Sequence, residues 1–410
     1  MEKFIDELGI TYSAKLADSI SDFNDIITLY LDNKNTVMPE LDALILKDTD
    51  MPMAHILSAY LLKLSGDPKF TRPIKQVIKK LDENLITLNP REEQHLLALR
   101  AWSDNQDQLA LLILEELLKS YPKDMIALRI THYMHFYAGT PELMRDSIQR
   151  SFVQWNEDDA FYSHLLGMYS FGLEESGEYD NAEFYGRRAV ELNSGDIWAT
   201  HAVTHVFQMQ SRSQEGINWL DQLIPTWSDS NNFVYHLYWH QALFHIGNQD
   251  HDQAIKIYDE HLKKAERDDF YLDICNSTSL LWRLEMLGVD VGNRWQGLSE
   301  FAENRILDDE LVFSTLHYLM IPARLKNQSM TDKAHLHFNN WSQQDTYQGK
   351  VCRDVGLSLA NSIIQFGSGD YKDAHDNLEK AQTNIKLIGG SHAQRHLFDD
   401  FNQYAKLHAS

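Results

Sequence analysis

The sequence predicts an all-α protein in which antiparallel helical hairpins stack into a solenoid. Apolar residues recur at helical spacing along most of the chain, whereas strand-like alternation is rare. Glycine and proline are scarce, at 19 and 9 of 410 residues, as expected of a chain with few turns. A short motif of glycine, tyrosine and alanine also occurs twice, at 177–189 and at 369–381.

This motif sets the length and phase of the repeat. The segments GEYDNAEFYGRRA (177–189) and GDYKDAHDNLEKA (369–381) share a glycine, a tyrosine and two alanines. Small residues are needed where two helices pack closely, and the pattern is typical of the second helix of a tetratricopeptide repeat (TPR), with a period of about 34 residues. The period predicts regular repeats at 91–124, 125–158, 163–196 and 197–230, and less regular ones near 52–85, 233–268, 271–305, 310–345 and 355–388.

The two ends of the chain lie outside the repeats at 52–388. Residues 1–51 are predicted to form a helical cap or a further repeat, and 389–410 a closing helix. Gly389-Gly390 ends the last repeat helix, and Ser391 with Gln394 has capping-box spacing, so the closing helix should run from Ser391 to about Leu407. With no low-complexity linker, we expect 1–410 to form one solenoid domain that winds into a superhelix around an enclosed concave cavity.

Charge and cysteine content exclude several classes of protein. The chain has 37 Lys and Arg against 60 Asp and Glu, a net charge of −23, which disfavours nucleic acid and anionic membranes as partners. Cys275 and Cys352 lie far apart and are expected to be reduced core residues. The chain shows no apolar leader segment and no run of about 18 apolar residues, so we expect a cytoplasmic protein.

Five strings in fixed order carry a resemblance to a known family. They are MYSFGLEE (168–175), HAVTH (201–205), HLYWH (236–240), RDVGL (353–357) and GGSHAQR (389–395). Together they resemble the tetratricopeptide repeat protein 38 family and its bacterial relatives, over essentially the whole chain. Weaker matches are Arg91-Glu92 with His95, His132 and MRDS (144–147). The resemblance implies an all-helical TPR-like fold and no settled activity.

Histidines and glutamates dominate the predicted inner surface. In TPR proteins the first helix of each hairpin faces the concave side, and the repeat frame places there His95, His164, Glu174, Glu175, His201, His205, His236 and His240. Residues four apart lie one turn apart on the same helix face, with Cβ atoms roughly 5–6 Å apart. The pairs His201/His205 and His236/His240 are therefore candidate ligands of one divalent transition metal, with Glu175 as the carboxylate. The alternative is that these imidazoles only form hydrogen bonds.

Aromatic and charged residues supply further candidates. Tyr238 and Trp239 could stack on a ligand, although aromatic residues at helical spacing are more often core. Gln394 and Arg395 lie in the first turn of the closing helix, where an anion can bind; alternatively, Arg395 pairs with an acid such as Asp354. The charges of Arg91-Glu92 and of MRD (144–146) are expected to form salt bridges between helices.

Three functions remain open at this stage. The favoured one is binding of a small polar or anionic ligand, or a peptide, in the His-rich concave pocket, with binding residues His95, His164, Glu174, Tyr238, Trp239, Gln394 and Arg395. The second is a metal-dependent or acid–base enzyme, with candidate catalytic residues Glu175, His201 and His240. The third is a protein–protein scaffold. Typical TPR proteins hold an acidic peptide with a clamp of Lys, Asn and Arg. An acidic, His-rich chain fits poorly with that clamp, which argues against the scaffold.

Overall fold

The computed structural model describes residues 2–83, 88–227 and 229–409. Helices dominate its described residues, with one short hairpin of strands at the start, so the prediction of an all-α repeat-like fold is confirmed. The chain forms two compact units. Unit 1 comprises Met1–Phe136, Thr140–Val206 and Asp221–Val234, and unit 2 comprises Tyr137–Gly139, Phe207–Leu220 and Tyr235–Ser410.

Unit 1 begins with two strands, which pair antiparallel, and continues as helices. Their bounds are β1 (Glu2–Ile5), β2 (Thr11–Ala14), α1 (Asp18–Leu31), α2 (Val37–Lys47), α3 (Pro52–Leu64), α4 (Thr71–Asp82), α5 (Pro90–Ser103), α6 (Asp107–Ser120), α7 (Met125–Tyr137), α8 (Pro141–Phe152), α9 (Tyr162–Glu175), α10 (Tyr179–Leu192) and α11 (Ile197–Met209). The last residues of α7 and α11 belong to unit 2.

Unit 2 is built of helices throughout its described length. Their bounds are α12 (Ser213–Leu223), α13 (Phe233–Gly247), α14 (His251–Ile257), α15 (Lys263–Ala265), α16 (Tyr271–Met286), α17 (Arg294–Gly297), α18 (Ser299–Arg305), α19 (Val312–Arg324), α20 (Gln328–Trp341), α21 (Tyr347–Val351), α22 (Leu357–Ser368), α23 (Tyr371–Ala381) and α24 (His392–His408). A π-helical turn joins α14 to α15, and another joins α21 to α22. The first residues of α13 and the last of α12 belong to unit 1.

The N-terminal hairpin differs from the helical cap that the sequence predicts. The carboxylate of Asp6 accepts hydrogen bonds from the amides of Leu8 and Ile10, at 3.0 and 2.8 Å, and so shapes the turn between the strands. The amide of Ser13 donates to Glu92 Oε1 at 2.8 Å, which ties β2 to helix α5. A contact this distant in sequence holds the strands in place; α1 and α2, which follow, are helical as expected.

The alanines of the repeat motif lie where the sequence predicts small residues. Ala182, Ala189, Ala374 and Ala381 are all fully buried. Between α9 and α10 the contact is closer still, because a Cβ atom added at Gly186 would lie 2.6 Å from the hydroxyl of Ser170. The hairpins of both units therefore pack through small residues, as TPR-like hairpins do.

Each unit has its own apolar core. In unit 1 it is built around side chains such as Phe23, Tyr60 and Phe171, and in unit 2 around Trp295 and Trp341. Cys275 and Cys352 are free and buried in the core of unit 2. In the described part of the chain no helix is long and apolar enough to cross a membrane.

Candidate functional site

Four ionisable side chains form a buried group in unit 1, here named the His–Glu cluster: Glu174, Glu175, His201 and His205. The two glutamates end helix α9, and the two histidines lie one turn apart on helix α11, where their ring centroids are 4.3 Å apart. Their exposed fractions are 0%, 4%, 3% and 0%, respectively. Side chains of this kind are rarely so buried unless they are paired or bind a ligand.

Both carboxylates of the cluster approach the same imidazole. His205 Nδ1 lies 3.4 Å from Glu174 Oε2 and 3.9 Å from Glu175 Oε1. An imidazole between two carboxylates can take up a proton, pass it on, or share a cation with them. Of the two glutamates, the structure therefore brings Glu174 nearer to the imidazole, whereas the sequence singled out Glu175.

Aromatic rings surround the two histidines of the cluster. Phe171 stacks on His201 and meets His205 edge-on, with ring centroids 5.3 Å apart in both cases. Trp198 lies 5.4 Å and Phe233, also of unit 1, 5.0 Å from His201. An apolar wall lowers the local dielectric constant, so charges in the cluster interact more strongly than they would in water.

Helix α7 adds a second set of buried polar side chains beside Trp198. The guanidinium of Arg129 lies 4.1 Å above the indole of Trp198 and 4.6 Å above the ring of Tyr133, and its Nη2 donates to the Tyr133 hydroxyl at 3.1 Å. The His132 ring contacts Trp198 and Phe171 at 5.7 and 5.8 Å. Burial, and next the charge of Arg129, lowers the pKa of His132 well below its usual value, so this imidazole is neutral at pH 7.

His95, a predicted ligand residue, lies in a separate buried network. Its Nε2 lies 2.9 Å from Asp124 Oδ2, which also accepts from Arg91 Nη1 at 2.6 Å, and the Tyr60 hydroxyl donates to its carbonyl. Burial alone would raise the pKa of Asp124, but the charges of His95 and Arg91 hold it well below its usual range. The expected ion pair of Arg91 is thus present, but it is buried, and His95 contributes to the fold of unit 1.

His164 and Arg145 also take part in pairs between helices. His164 Nε2 lies 2.8 Å from the carboxylate of Asp32, at the end of α1. Arg145 donates to Asp146 at 2.6 Å and, across to the start of α10, to Glu178 at 2.7 Å, as expected for a salt bridge between helices. Both residues therefore help to hold helices of unit 1 together.

In unit 2, His236, Trp239 and His240 form a stack of their own on helix α13. His236 lies parallel to Trp239 at 5.1 Å and edge-on to His240 at 4.8 Å. His236 Nδ1 is 2.9 Å from Asn276 Oδ1, and the Trp239 indole N–H donates to Ser279 at 2.9 Å. Trp239 is fully buried, so it is a core residue. The predicted convergence of the two histidine pairs stays a prediction.

The remaining candidates of unit 2 also have partners within the chain. Tyr238 is half-buried and stacks on His261, with ring centroids 3.6 Å apart. The Gln394 side chain accepts from the amide of Ser391 at 2.8 Å and completes a capping box. Arg395 is buried and donates to the carbonyl of Gly390, whereas Asp354, its suggested partner, lies 3.9 Å from Arg353.

Sequence reasoning missed Arg129 and Trp198 as candidates. Helix α7 reads MIALRITHYMHFY, and its apolar residues alone predict a buried helix. The arginine within that run was the available signal, because a charge on a helix buried on all sides needs a partner.

No family model matches the chain. Among the solved structures similar to it are the TPR domain of P58(IPK) and Naa15/Naa10 bound to HypK-THB, each at 12% sequence identity and a TM-score of 0.23. The first match covers 78% of this chain and 99% of that chain. The second covers 89% of this chain and 63% of that chain. Likenesses this distant do not inform function, and the resemblance to the tetratricopeptide repeat protein 38 family stays a prediction.

Proposed function

We propose that the protein binds a small polar ligand in unit 1 and that the His–Glu cluster holds a divalent transition metal as part of that site. One observation carries the proposal: His205 Nδ1 lies 3.4 Å from Glu174 Oε2. Two ligand atoms at about 2.1 Å from a tetrahedral zinc ion are separated by about 3.4 Å. These two donor atoms are therefore spaced as two ligands of one metal ion are.

The composition of the cluster supports the same assignment. Two imidazoles and a carboxylate are common ligands of zinc and related metals. The residues that would bind the metal ion are His201, His205 and Glu174, all of which are buried.

Glu175 gives the site a route to catalysis. Its Oε1 lies 3.9 Å from His205 Nδ1, close enough to bind the metal or to move a proton next to it. A metal-dependent or acid–base enzyme is thus the chemical extension of the ligand-binding proposal, with Glu175 and His201 as its candidate catalytic residues. His240 belongs to unit 2 and remains a candidate on the sequence alone.

Zinc titration by calorimetry tests the proposal on the full, untagged chain. We expect the wild type to bind zinc and the variant H201A/H205A to lose that binding. The matched control H335A/H408A removes two exposed histidines and should bind as the wild type does. Zinc affinity that is the same in all three proteins would overturn the proposal. The variant H236A/H240A tests whether the second pair contributes, as the sequence predicts.

A protein–protein scaffold is the second candidate function, and the repetition of helical hairpins favours it. His201 and His205 are buried, so the partners of a scaffold should bind H201A/H205A as tightly as they bind the wild type. Co-purification from the source cells with both proteins separates the two functions. A partner that binds both equally, with no zinc bound by either, would replace our proposal by this one.

A further inference from the structure

We propose that the ligand of unit 1 carries an oxyanion group, a carboxylate or a phosphate, which Arg129 binds beside the His–Glu cluster. This inference rests on the proposed function and adds the chemical class of the ligand to it. Four observations support this inference in turn: the contacts of Arg129, its charge, the polar groups around it and the rings that link it to the cluster.

Arg129 makes few hydrogen bonds for a buried arginine. The side chain is 1% exposed, and a guanidinium has five N–H donors. Arg129 donates a hydrogen bond to the hydroxyl of Tyr133 and also lies near the hydroxyl of Tyr30, and the rings of Tyr133 and Trp198 cover its faces. Within the described ranges, Arg129 Nε has no hydrogen-bond acceptor. The donor edge of the guanidinium therefore has capacity for a bidentate acceptor.

The charge environment of Arg129 also differs from that of three other buried arginines. Among the residues that the structure describes, none forms an ion pair with it, whereas the buried Arg91, Arg283 and Arg305 each pair with an aspartate, at 2.6, 3.2 and 2.8 Å. An uncompensated buried charge is strongly destabilising. An oxyanion on the ligand provides the missing partner.

Asp196, whose pKa responds to the charge of Arg129, has a different role. Its Oδ1 accepts from the amide of Ala199 at 2.9 Å, at the start of helix α11. Burial raises the pKa of Asp196, although His164 and, more weakly, Arg129 oppose that shift. The charge of Arg129 therefore affects the pKa of Asp196, but the two side chains form no ion pair with each other.

Two further buried polar groups lie next to Arg129. The indole N–H of Trp198 and both ring nitrogens of His132 have no hydrogen-bond partner in the described part of the chain. Both side chains are buried, and their rings are 5.7 Å apart. Trp198, His132 and Arg129 thus bring together an indole N–H, a neutral imidazole and a guanidinium. These groups are hydrogen-bond donors suited to an oxyanion.

Trp198 and Phe171 link this group to the His–Glu cluster. The Trp198 ring lies 4.1 Å from the Arg129 guanidinium carbon and 5.4 Å from the His201 ring. Phe171 contacts both His132 and His201. A small ligand can therefore place its oxyanion at Arg129 and a second polar group at the metal of the cluster.

Thermal unfolding with malonate and inorganic phosphate as probes tests the inference on the full chain. We expect one or both anions, at millimolar concentration, to raise the Tm of the wild type but not of R129M. Losing a charged bidentate hydrogen bond should weaken anion binding about tenfold to hundredfold. R129K keeps the positive charge but lacks the two parallel N–H donors of a guanidinium, so it should give an intermediate shift in Tm. The control R188M changes an exposed arginine and should respond as the wild type.

The two probes and the anion-free proteins give separate outcomes. A shift with malonate alone identifies a carboxylate, and a shift with phosphate alone a phosphate. Without anions, R129M should be at least as stable as the wild type, because it removes an uncompensated charge. Equal shifts in wild type and R129M, no shift with either anion, or an R129M that is much less stable without anions would overturn the inference. Zinc binding that survives in R129M would leave the proposed function standing.

Discussion

The substitution D124N tests the buried network that surrounds His95 in unit 1. Asp124 Oδ2 lies 2.6 Å from Arg91 Nη1 and 2.9 Å from His95 Nε2, and Oδ1 accepts from the amide of Ala127 at 3.0 Å. The side chains of Arg91 and Asp124 are 1% and 2% exposed. Asparagine keeps the size of aspartate but leaves the guanidinium of Arg91 buried without its counter-charge.

The expected loss follows from this burial. Breaking a buried ion pair by removing one partner costs about 3–5 kcal/mol. The matched control D146N breaks the Arg145–Asp146 pair, which has the same 2.6 Å separation but side chains that are 24% and 38% exposed. An exposed pair contributes about 0–1 kcal/mol. Urea unfolding followed by circular dichroism at pH 7 compares the free energies of unfolding of the two variants.

The pH dependence supplies a second measurement on the same variants. The folded-state pKa of Asp124 lies below its unfolded value of 3.8, so its stabilisation is present above pH 3.8 and is lost as the pH falls through the folded pKa. D124N should lose this part of the acid dependence, whereas D146N should retain it. Equal losses of stability in D124N and D146N would refute the assignment of His95 to a structural network, as would a loss of zinc binding in D124N alone.

Two further predictions concern the packing and capping of the helices. G186A adds a Cβ atom 2.6 Å from the hydroxyl of Ser170 and should destabilise the chain by about 1–3 kcal/mol. The control G297A adds a Cβ atom that meets nothing within 4 Å and should leave the stability unchanged. Thermal unfolding compares the two variants, and equal stabilities would contradict the close packing of α9 against α10. S391A removes the capping box of α24 and should lower the free energy of unfolding by about 1 kcal/mol. The control S368A changes an exposed serine and should have almost no effect in the same thermal unfolding measurement. An equal loss of stability in both variants would show that the cap is unimportant.

Much of the fold was predictable because it depends on local pattern. Helical periodicity and the spacing of the small residues locate the hairpins, and Ala182 and Ala189 are buried where the pattern requires. The strands of the N-terminal hairpin have four residues each, too few for a periodic signal. They are held by Glu92 from a distant helix, a contact that local sequence does not encode.

The candidate site was predictable in part. Repeat phase placed Glu174, Glu175, His201 and His205 together, and these four residues lie together in unit 1. Phase alone does not show which acid lies across from a histidine, so it could not separate the structural pairing of His95 with Asp124 from a ligand role. Arg129 was missed for a related reason, because only the tertiary structure shows that no carboxylate pairs with it among the described residues.

Elemental analysis of the untagged chain, purified without chelator, tests the central claim most directly. Zinc, iron, manganese or copper should be present at close to one ion per wild-type chain and at background level in H201A/H205A. The exposed pair of substitutions H335A/H408A should retain the wild-type content. Metal at background level in the wild type, or unchanged in H201A/H205A, would contradict a metal-binding His–Glu cluster.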